Sequence, residues 1–210
     1  MPDKITIFVN PQKRVVELGA VFTVDININV PLEREEIFGY EFKLYYNETI
    51  LEGISIELPK GHFLTPQIDP SNIFIAGCEF RNEGSYGYVG LTLLAPETGS
   101  KGNGTLVTAT FKALLQGNSP IEIADVHLVT PTSVMIWPNE YVVINGSITV
   151  ILSDLNYDNK VNIEDLATVA AAFLSYPGHP RWNPMADVNK DDVINILDLC
   201  LIATTFGKIL

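Results

Sequence analysis

Apolar and polar residues alternate along much of the first 150 residues of the chain. In the stretch 21–30 every second residue is apolar, and the polar residues between them are Thr23, Asp25, Asn27 and Asn29. Successive side chains of a β-strand point to opposite faces of a sheet. The alternation therefore predicts a strand with one face in a core and the other in water.

Ten short runs rich in β-branched and aromatic residues have this character and are separated by Gly, Pro and Asn. No convincing helical stripe occurs among them, so the pattern predicts an all-β sandwich or jelly roll. The predicted strands cover residues 5–9, 15–18, 21–30, 38–46, 51–58, 73–78, 86–94, 104–115, 121–129 and 140–152.

The pattern changes after residue 153, where two twelve-residue segments follow the same rule. The first begins at Asp154 and reads DLNYDNKVNIED, and the second begins at Asp187 and reads DVNKDDVINILD. Acidic or amide residues occupy positions one, three, five, nine and twelve of both. Calcium takes roughly six to eight oxygen ligands, which a tight loop of this composition can supply. The sequence therefore predicts two calcium ions.

Each loop offers three carboxylates, two side-chain amides and one backbone carbonyl. The predicted ligands are Asp154, Asn156, Asp158, the carbonyl of Lys160, Asn162 (directly or through water) and Asp165 in the first loop, and Asp187, Asn189, Asp191, the carbonyl of Val193, Asn195 and Asp198 in the second. Position six, a glycine in EF-hands, holds Asn159 or Asp192. These residue types tolerate the left-handed conformation, so we expect the turn with mild strain.

The duplication continues past the loops. Residues 154–173 and 187–206 are offset by 187 − 154 = 33 positions and share nine of twenty residues. Apolar residues at helical spacing follow each loop, which predicts a loop and then a helix in each repeat. The predicted apolar faces are Leu166, Val169, Ala170 and Phe173, and Leu199, Ile202, Ala203 and Phe206.

This duplicated loop–helix pattern, with Asp closing each loop, resembles the type I dockerin family over residues 154–208. The resemblance implies a module that folds on calcium and docks onto a cohesin domain. It also implies partner contacts just before each closing Asp, at Ile163 and Glu164 and at Ile196 and Leu197. The apolar Ile196 and Leu197 indicate either an apolar contact with the partner or packing against the β-sandwich of the same chain.

Several phrases of the first part resemble the cohesin family over about residues 4–152. They are Gly19 before the alternating strand, GYEFKLYYN at 39–47, GNGTLVTATFKA at 102–113 and the closing strand at 141–150. We therefore predict a cohesin-like domain at 1–152 and a dockerin-like domain at 153–210, with almost no linker between them. Carbohydrate-binding modules share the jelly-roll architecture and are the alternative for the first domain.

Composition and charge exclude other functions. The net charge is −12, with 9 basic and 17 acidic residues up to residue 150 and 4 basic and 8 acidic afterwards. No Lys/Arg cluster occurs, which argues against nucleic-acid binding. No apolar run is long enough to span a membrane. The three histidines lack metal-ligand spacing, and no hydrolase, zincin or phosphate-loop motif is present, so we expect no enzyme activity.

The calcium loops and three glycosylation sequons, at Asn47, Asn103 and Asn145, favour an extracellular or cell-surface location. The start of the chain has no signal-peptide core, so we expect the export signal to be missing from this sequence. The two cysteines, Cys78 and Cys200, have no metal spacing. Because Cys200 falls on an apolar helix, we expect a buried small hydrophobe there and not an interdomain disulfide.

Together these features predict a non-catalytic, calcium-dependent interaction protein with a β receptor domain and a docking module. Two partners remain open: another copy of the chain, which gives head-to-tail self-assembly at the cell surface, and a different protein. The alternative function is a carbohydrate-binding module that its dockerin attaches to another protein. Its polysaccharide platform would comprise Trp137, Tyr141, Tyr45, Tyr46, Tyr86, Tyr88 and Phe80.

Overall fold

The computed structural model describes residues 4–64, 72–81, 86–94 and 98–209. Residues 1–3 and Leu210, the ends of the two predicted domains, lie outside this part. The strands within it are β1 (Ile5–Asn10), β2 (Lys13–Glu17), β3 (Val21–Val30), β4 (Gly39–Tyr46), β5 (Leu51–Glu57), β6 (Ile73–Arg81), β7 (Tyr86–Leu93), β8 (Gly102–Ala113), β9 (Gly117–Val129), β10 (Met135–Ile136), β11 (Tyr141–Ile144) and β12 (Gly146–Ile151). The helices are α1 (Ile163–Ala171) and α2 (Ile196–Thr205).

The strands pack as two sheets. One sheet has the order β11-β1-β3-β8-β5, and the other has the order β2-β12-β9-β4-β7-β6 with β10 beside β9. The pairs β1/β11 and β2/β12 are parallel, and the remaining pairs are antiparallel. The predicted fold class, a β-sandwich followed by a small helical part, is confirmed.

The alternation in β3 matches its burial. Its apolar residues from Phe22 to Val30 are at most 5% exposed and belong to the main core. Fully burying a Val, Ile or Phe side chain contributes about 1.5–3 kcal/mol relative to leaving it exposed. A register shift of one residue would turn all five of these side chains away from the core, so the pattern fixes the register of this strand.

The prediction of a single strand over 140–152 was wrong. The segment forms two strands, β11 in one sheet and β12 in the other, and the chain crosses between the sheets at Asn145 and Gly146. The Asn145 side chain accepts a hydrogen bond from the Ile123 backbone N–H (3.0 Å). A Cβ atom at Gly146 would lie 2.6 Å from a Val9 methyl carbon, so the crossing requires glycine. The short strand β10 was also not predicted.

A second core lies in the C-terminal part, which we call the C-terminal module (residues 152–209). Ile151 at the end of β12 joins the buried apolar residues of the module in this core, which are Leu155, Val161, Val169, Ala172, Ala186, Val188, Ile194 and Ile202. Backbone hydrogen bonds join the two repeats. The Val161 N–H of the first loop donates to the Lys208 carbonyl after α2 (3.0 Å), and the Ile194 N–H of the second loop donates to the Ser175 carbonyl after α1 (3.0 Å). These pairs make the two repeats one folded unit.

The helices bury a slightly different face from the predicted one. Val169 and Ile202 are buried as expected, whereas Ala170, Ala203 and Phe206 are exposed, Phe206 by 53%. For Phe206 the reason is the end of α2 at Thr205, since Phe206 caps the helix with φ −55° and ψ 132° and its side chain leaves the helical face.

Candidate calcium loops and docking surfaces

The ninth and twelfth residues of each loop lie at the start of the following helix, which fixes their orientation. Asn162 is the N-cap of α1 and accepts the Glu164 N–H (2.7 Å), while Asp165 accepts the Asn162 N–H (2.8 Å). Asn195 and Asp198 make the same reciprocal pair at the start of α2, with the Asn195 N–H 2.8 Å from Asp198. This capping box satisfies helix donors that would otherwise be unpaired.

Backbone amides fold each loop over its first carboxylate. The two oxygens of Asp154 accept the N–H groups of Asp158 (3.1 Å) and Asn159 (2.9 Å). In the second loop Asp187 accepts from Asp191 (3.2 Å) and Asp192 (3.1 Å). Positions one and five are thereby brought together in both loops.

The last carboxylate of each loop reaches back to the residue after the first. Asp165 accepts the Leu155 N–H at 2.7 Å, and Asp198 accepts the Val188 N–H at 2.8 Å. Positions one and twelve consequently form the buried floor of each loop. Asn156, Asp158 and Lys160 form the exposed rim of the first loop; in the second loop Asp191 and Val193 are exposed, Asn189 is half-buried, and Asn195 donates to the Val193 carbonyl (3.2 Å).

The left-handed turn predicted at position six is confirmed. Asn159 has φ +64° and Asp192 has φ +66°. The residues at position four, Tyr157 and Lys190, also have positive φ, at +58° and +59°. Tyr and Lys do not favour that conformation, so the backbone is strained at position four. The sequence analysis did not predict this strain.

Four carboxylates of these loops are buried, and within the described residues none of them forms an ion pair with a Lys, Arg or His side chain. Asp154 is 4% exposed, Asp187 is 2% exposed, and Asp165 and Asp198 are fully buried. Within the described residues every ion pair lies in the β-sandwich: Arg34–Glu140, Lys43–Asp125 and Arg81–Glu79. A buried charge is costly unless it is paired or coordinates a metal. The floors of the loops therefore carry negative charge that a cation would compensate.

The electrostatic effect is visible at Asp187. Burial raises the pKa of its carboxyl, and the backbone donors of Asp192 and Asp191 oppose the rise; the Asp198 carboxylate raises the pKa further, and the charge of Lys190 lowers it. The pKa is raised although backbone donors and Lys190 favour the anion, so burial of this carboxylate is the dominant effect.

The donor set fits a hard cation. All predicted ligands of both loops offer oxygen, the element that calcium prefers. In the part of the chain that the structure describes, no three His, Cys, Asp or Glu side chains form a ready metal cluster, and the carboxylates accept backbone amides instead. A carboxylate has about four lone-pair sites, so a backbone donor and a cation can share one group.

The side chains expected to contact a partner are exposed. The exposed fraction is 67% for Ile163, 59% for Ile196 and 54% for Leu197. They do not pack against the β-sandwich of their own chain, which removes one of the two interpretations given above. Glu164 is exposed too and accepts a hydrogen bond from the Asn156 side chain (2.9 Å).

An apolar groove of about 390 Å³ lies on the sheet that contains β4, β6, β7 and β9. Phe74 (57% exposed) and Met135 (48% exposed) are prominent at this groove, with Glu41 and His127 as its charged or titratable members. Sequence reasoning missed this surface because its residues come from five strands and meet only in the folded sheet.

The aromatic residues proposed for a sugar platform do not lie together. Tyr46 and Phe80 pack edge-on against the buried Phe111, both at 5.2 Å between ring centroids. Tyr45 packs on Tyr86. Trp137 is 65% exposed, whereas the others are partly buried.

The prediction that Cys200 is buried was wrong. Cys200 lies on the exposed side of α2, because the buried side of this helix is formed by Asp198, Ile202 and Thr205. Cys78 is partly buried and its thiol donates to the Ile56 carbonyl (3.3 Å). Both cysteines are free.

Comparison with known proteins places both parts of the chain. The sequence model of the Dockerin type I domain matches residues 152–206. Solved structures that resemble the chain include a non-cellulosomal cohesin from the archaeon Archaeoglobus fulgidus, with 16% identity and a TM-score of 0.52 over 71% of this chain and 92% of that one. Residues 152–206 thus match the Dockerin type I domain, and the β-sandwich before them has the fold of cohesins.

Two further structures resemble the cohesin-like domain. The seventh ScaB type I cohesin of Pseudobacteroides cellulosolvens is 22% identical, with a TM-score of 0.54 over 71% of this chain and 93% of that one. A chain from a type I cohesin–dockerin complex of Clostridium thermocellum is 16% identical, with a TM-score of 0.56 over 71% of this chain and 96% of that one. No curated protein matches the chain. Among the described helices, neither has the length and apolar character needed to span a membrane.

Proposed function

We propose that this chain is a non-catalytic interaction protein whose dockerin module binds two calcium ions and docks onto a cohesin-type domain. The single observation that carries the calcium assignment is the set of four buried Asp carboxylates, two per loop, that form no ion pair among the described residues. The twelve predicted ligands, Asp154 to Asp165 and Asp187 to Asp198, would hold the ions. Calcium, when bound, supplies positive charge at the floor of each loop and joins its two ends.

Charge explains why docking would depend on calcium. Residues 151–210 contain 4 basic and 8 acidic residues, and residues 1–150 contain 9 basic and 17 acidic residues. Without calcium both parts are negative and repel each other. Two divalent ions neutralise the net charge of the module, which removes the net repulsion when the exposed Ile163, Ile196 and Leu197 are buried against an apolar surface.

The partner we propose is a second copy of the chain, through the apolar groove at Phe74 and Met135. The module joins the sandwich where β12 ends and β9 begins, whereas His127 at the groove lies ten residues further along β9. At about 3.3 Å per residue this is roughly 33 Å, more than a compact module of this size can bridge from a fixed junction. Docking would therefore occur between molecules, and head-to-tail contacts give chains or rings.

The first test is the molar mass in solution with calcium and with EDTA, measured by size-exclusion chromatography with light scattering. We expect calcium-dependent multimers that grow with protein concentration. A calcium-binding chain that stays monomeric at all concentrations would reject the second copy as partner and leave docking to a different cohesin-type protein.

A complementation experiment tests the head-to-tail geometry. Leu197→Asp disables the module surface, and Phe74→Asp disables the groove. Each variant alone should be monomeric, because it retains only one half of the contact. Mixed in calcium, they should form a dimer that does not grow further. Ile54→Asp, an exposed apolar residue on the other sheet, is the matched control and should assemble like the unmodified chain.

One observation favours the carbohydrate alternative. Trp137 is exposed beside a cavity of about 310 Å³ that also contains Arg34 and Glu140, and an aromatic face with polar neighbours suits a sugar ring. Retention of the calcium-free monomer on insoluble polysaccharide, lost in Trp137→Ala, would support this function. For either function we propose an extracellular or cell-surface location and the division at residues 152 and 153, which agrees with the break between the two cores after Val150.

A further inference from the structure

Both calcium loops are attached to the cohesin-like domain beside their first ligand. Ser153, which precedes Asp154, donates its hydroxyl to Glu17 at 2.6 Å. The carbonyl of Val188, which follows Asp187, accepts the side-chain amide of Gln116 at 2.9 Å. The sandwich thus holds a residue next to position one in each of two loops that are 33 positions apart in the sequence.

The first attachment is rigid. Ser153 is fully buried, and Glu17 is the last residue of β2, paired in register with Ile151 of β12. The Leu18 N–H donates to the Ile151 carbonyl at 2.9 Å, which closes the same end of the strand pair. The entry into the first loop is therefore an extension of the sheet.

The second attachment holds one residue from two sides. The Val188 N–H donates to Asp198, the closing carboxylate of the loop, and its carbonyl accepts from Gln116 on the β8–β9 turn. Val188 is itself fully buried. A movement of the Asp198 carboxylate is therefore transmitted through one residue to the sandwich.

We propose that Glu17 and Gln116 are positioning residues for calcium, each preorganising one loop. This inference rests on the proposed calcium binding. A loop that is already held in its binding conformation loses less conformational entropy when it binds, so the attachment raises calcium affinity. Because such coupling is reciprocal, calcium in turn stabilises the junction and fixes the direction in which the module presents its docking surface.

The test is calcium titration calorimetry on the full chain and on variants in which one loop is disabled. In Asp154→Ala, which leaves the second loop, Gln116→Ala should weaken calcium binding about fivefold, the equivalent of one hydrogen bond. In Asp187→Ala, which leaves the first loop, Gln116→Ala should have no effect. Glu17→Ala should weaken calcium binding in Asp187→Ala, which keeps the first loop, and should have no effect in Asp154→Ala.

Conservative and matched variants separate positioning from folding. Glu17→Gln should keep the affinity of the first loop, because its amide oxygen still accepts the Ser153 hydroxyl. Glu122→Ala, an exposed glutamate on β9, should change neither loop. The emission of Trp182, which packs against the module core, reports whether a one-loop variant folds. If it does not fold, the Glu17 and Gln116 variants are compared in the chain with both loops intact, where calorimetry resolves one affinity for each of the two binding steps.

The outcomes separate this inference from the proposed function. If the unmodified chain takes up no calcium, the proposed function fails and this inference with it. If the unmodified chain binds calcium but Glu17→Ala and Gln116→Ala bind it equally well, or if each weakens both loops equally, the positioning role is overturned while the proposed function stands.

Discussion

The hydroxyl of Tyr40 lies 2.6 Å from Nε2 of His62 inside the cohesin-like domain. The same hydroxyl donates to the Leu106 carbonyl at 3.0 Å, so it accepts from the Nε2–H of a neutral imidazole. His62 is only 2% exposed, and burial lowers its pKa to about 4 from an ordinary value of 6.5. Burial also raises the pKa of Tyr40 well above its ordinary value, so both groups are neutral in the folded domain.

This pair predicts a loss of stability in mild acid. Between about pH 6.5 and pH 4 the unfolded chain binds a proton at this histidine that the folded chain refuses. The free energy of unfolding should therefore decrease as the pH falls through this window, by about 3 kcal/mol in total. At neutral pH the full stability is present.

Denaturant titrations at several pH values check this prediction. His62→Gln, which can still donate to Tyr40, should show a weaker pH dependence between pH 6.5 and 4. His127→Gln replaces an exposed histidine and should behave as the unmodified chain does. An unchanged slope in His62→Gln would assign the acid sensitivity to other groups.

Removal of calcium should unfold the C-terminal module and leave the sandwich intact. The buried carboxylates of each loop, Asp154 and Asp165 or Asp187 and Asp198, would then lack a compensating cation, and binding of each ion stabilises by about 2.7 kcal/mol at a concentration 100 times its Kd. Trp182 packs on the module core and Trp137 belongs to the sandwich, so Trp137→Phe isolates the module signal. EDTA should shift the Trp182 emission to longer wavelength. The melting transition of the β-sandwich should persist in EDTA. An unaltered spectrum in EDTA would show that calcium does not hold the module together.

Alanine at the first position of both loops should abolish calcium uptake. Asp154→Ala with Asp187→Ala removes the carboxylates that organise the backbone at positions five and six. Calorimetry should then detect no high-affinity site. Asp192→Asn is the matched control, because position six contributes its left-handed backbone and not its carboxylate, and asparagine adopts that conformation. Uptake of two ions by the double variant would reject the ligand assignment.

The two thiols should differ in reactivity. Burial, with the charges of Glu57 and Glu79, raises the pKa of Cys78 to about 11, so roughly one thousandth of it is thiolate at pH 8. Cys200 is exposed on α2. A maleimide or iodoacetamide reagent should modify Cys200 in the folded protein and reach Cys78 only after unfolding. Peptide mass spectrometry locates the label, and rapid labelling of Cys78 in Cys200→Ser would contradict its burial.

The sequence pattern predicted the structure correctly where a feature depends on residues a few positions apart in the chain. The alternation in β3 predicts its buried face, and the Asp and Asn spacing predicts the caps of both helices and the left-handed turns at Asn159 and Asp192. The errors occurred where distant segments decide. Asn145 ends a strand because Ile123 donates to it and Val9 crowds Gly146, and neither neighbour is close in sequence.

The sequence by itself determined the duplicated loops, their oxygen ligands and the β class of the first part. The reason is that these features depend on residues only a few positions apart: the Asp and Asn spacing in the loops and the apolar alternation in the strands. Tertiary structure alone decided which surfaces remain exposed and how the two parts meet. The groove at Phe74 and Met135 and the hydrogen bonds from Ser153 to Glu17 and from Gln116 to Val188 join residues that only packing brings together, and packing also leaves Cys200 exposed. Local patterns encode which face of an element is apolar, but contacts over such separations depend on how the sheets pack.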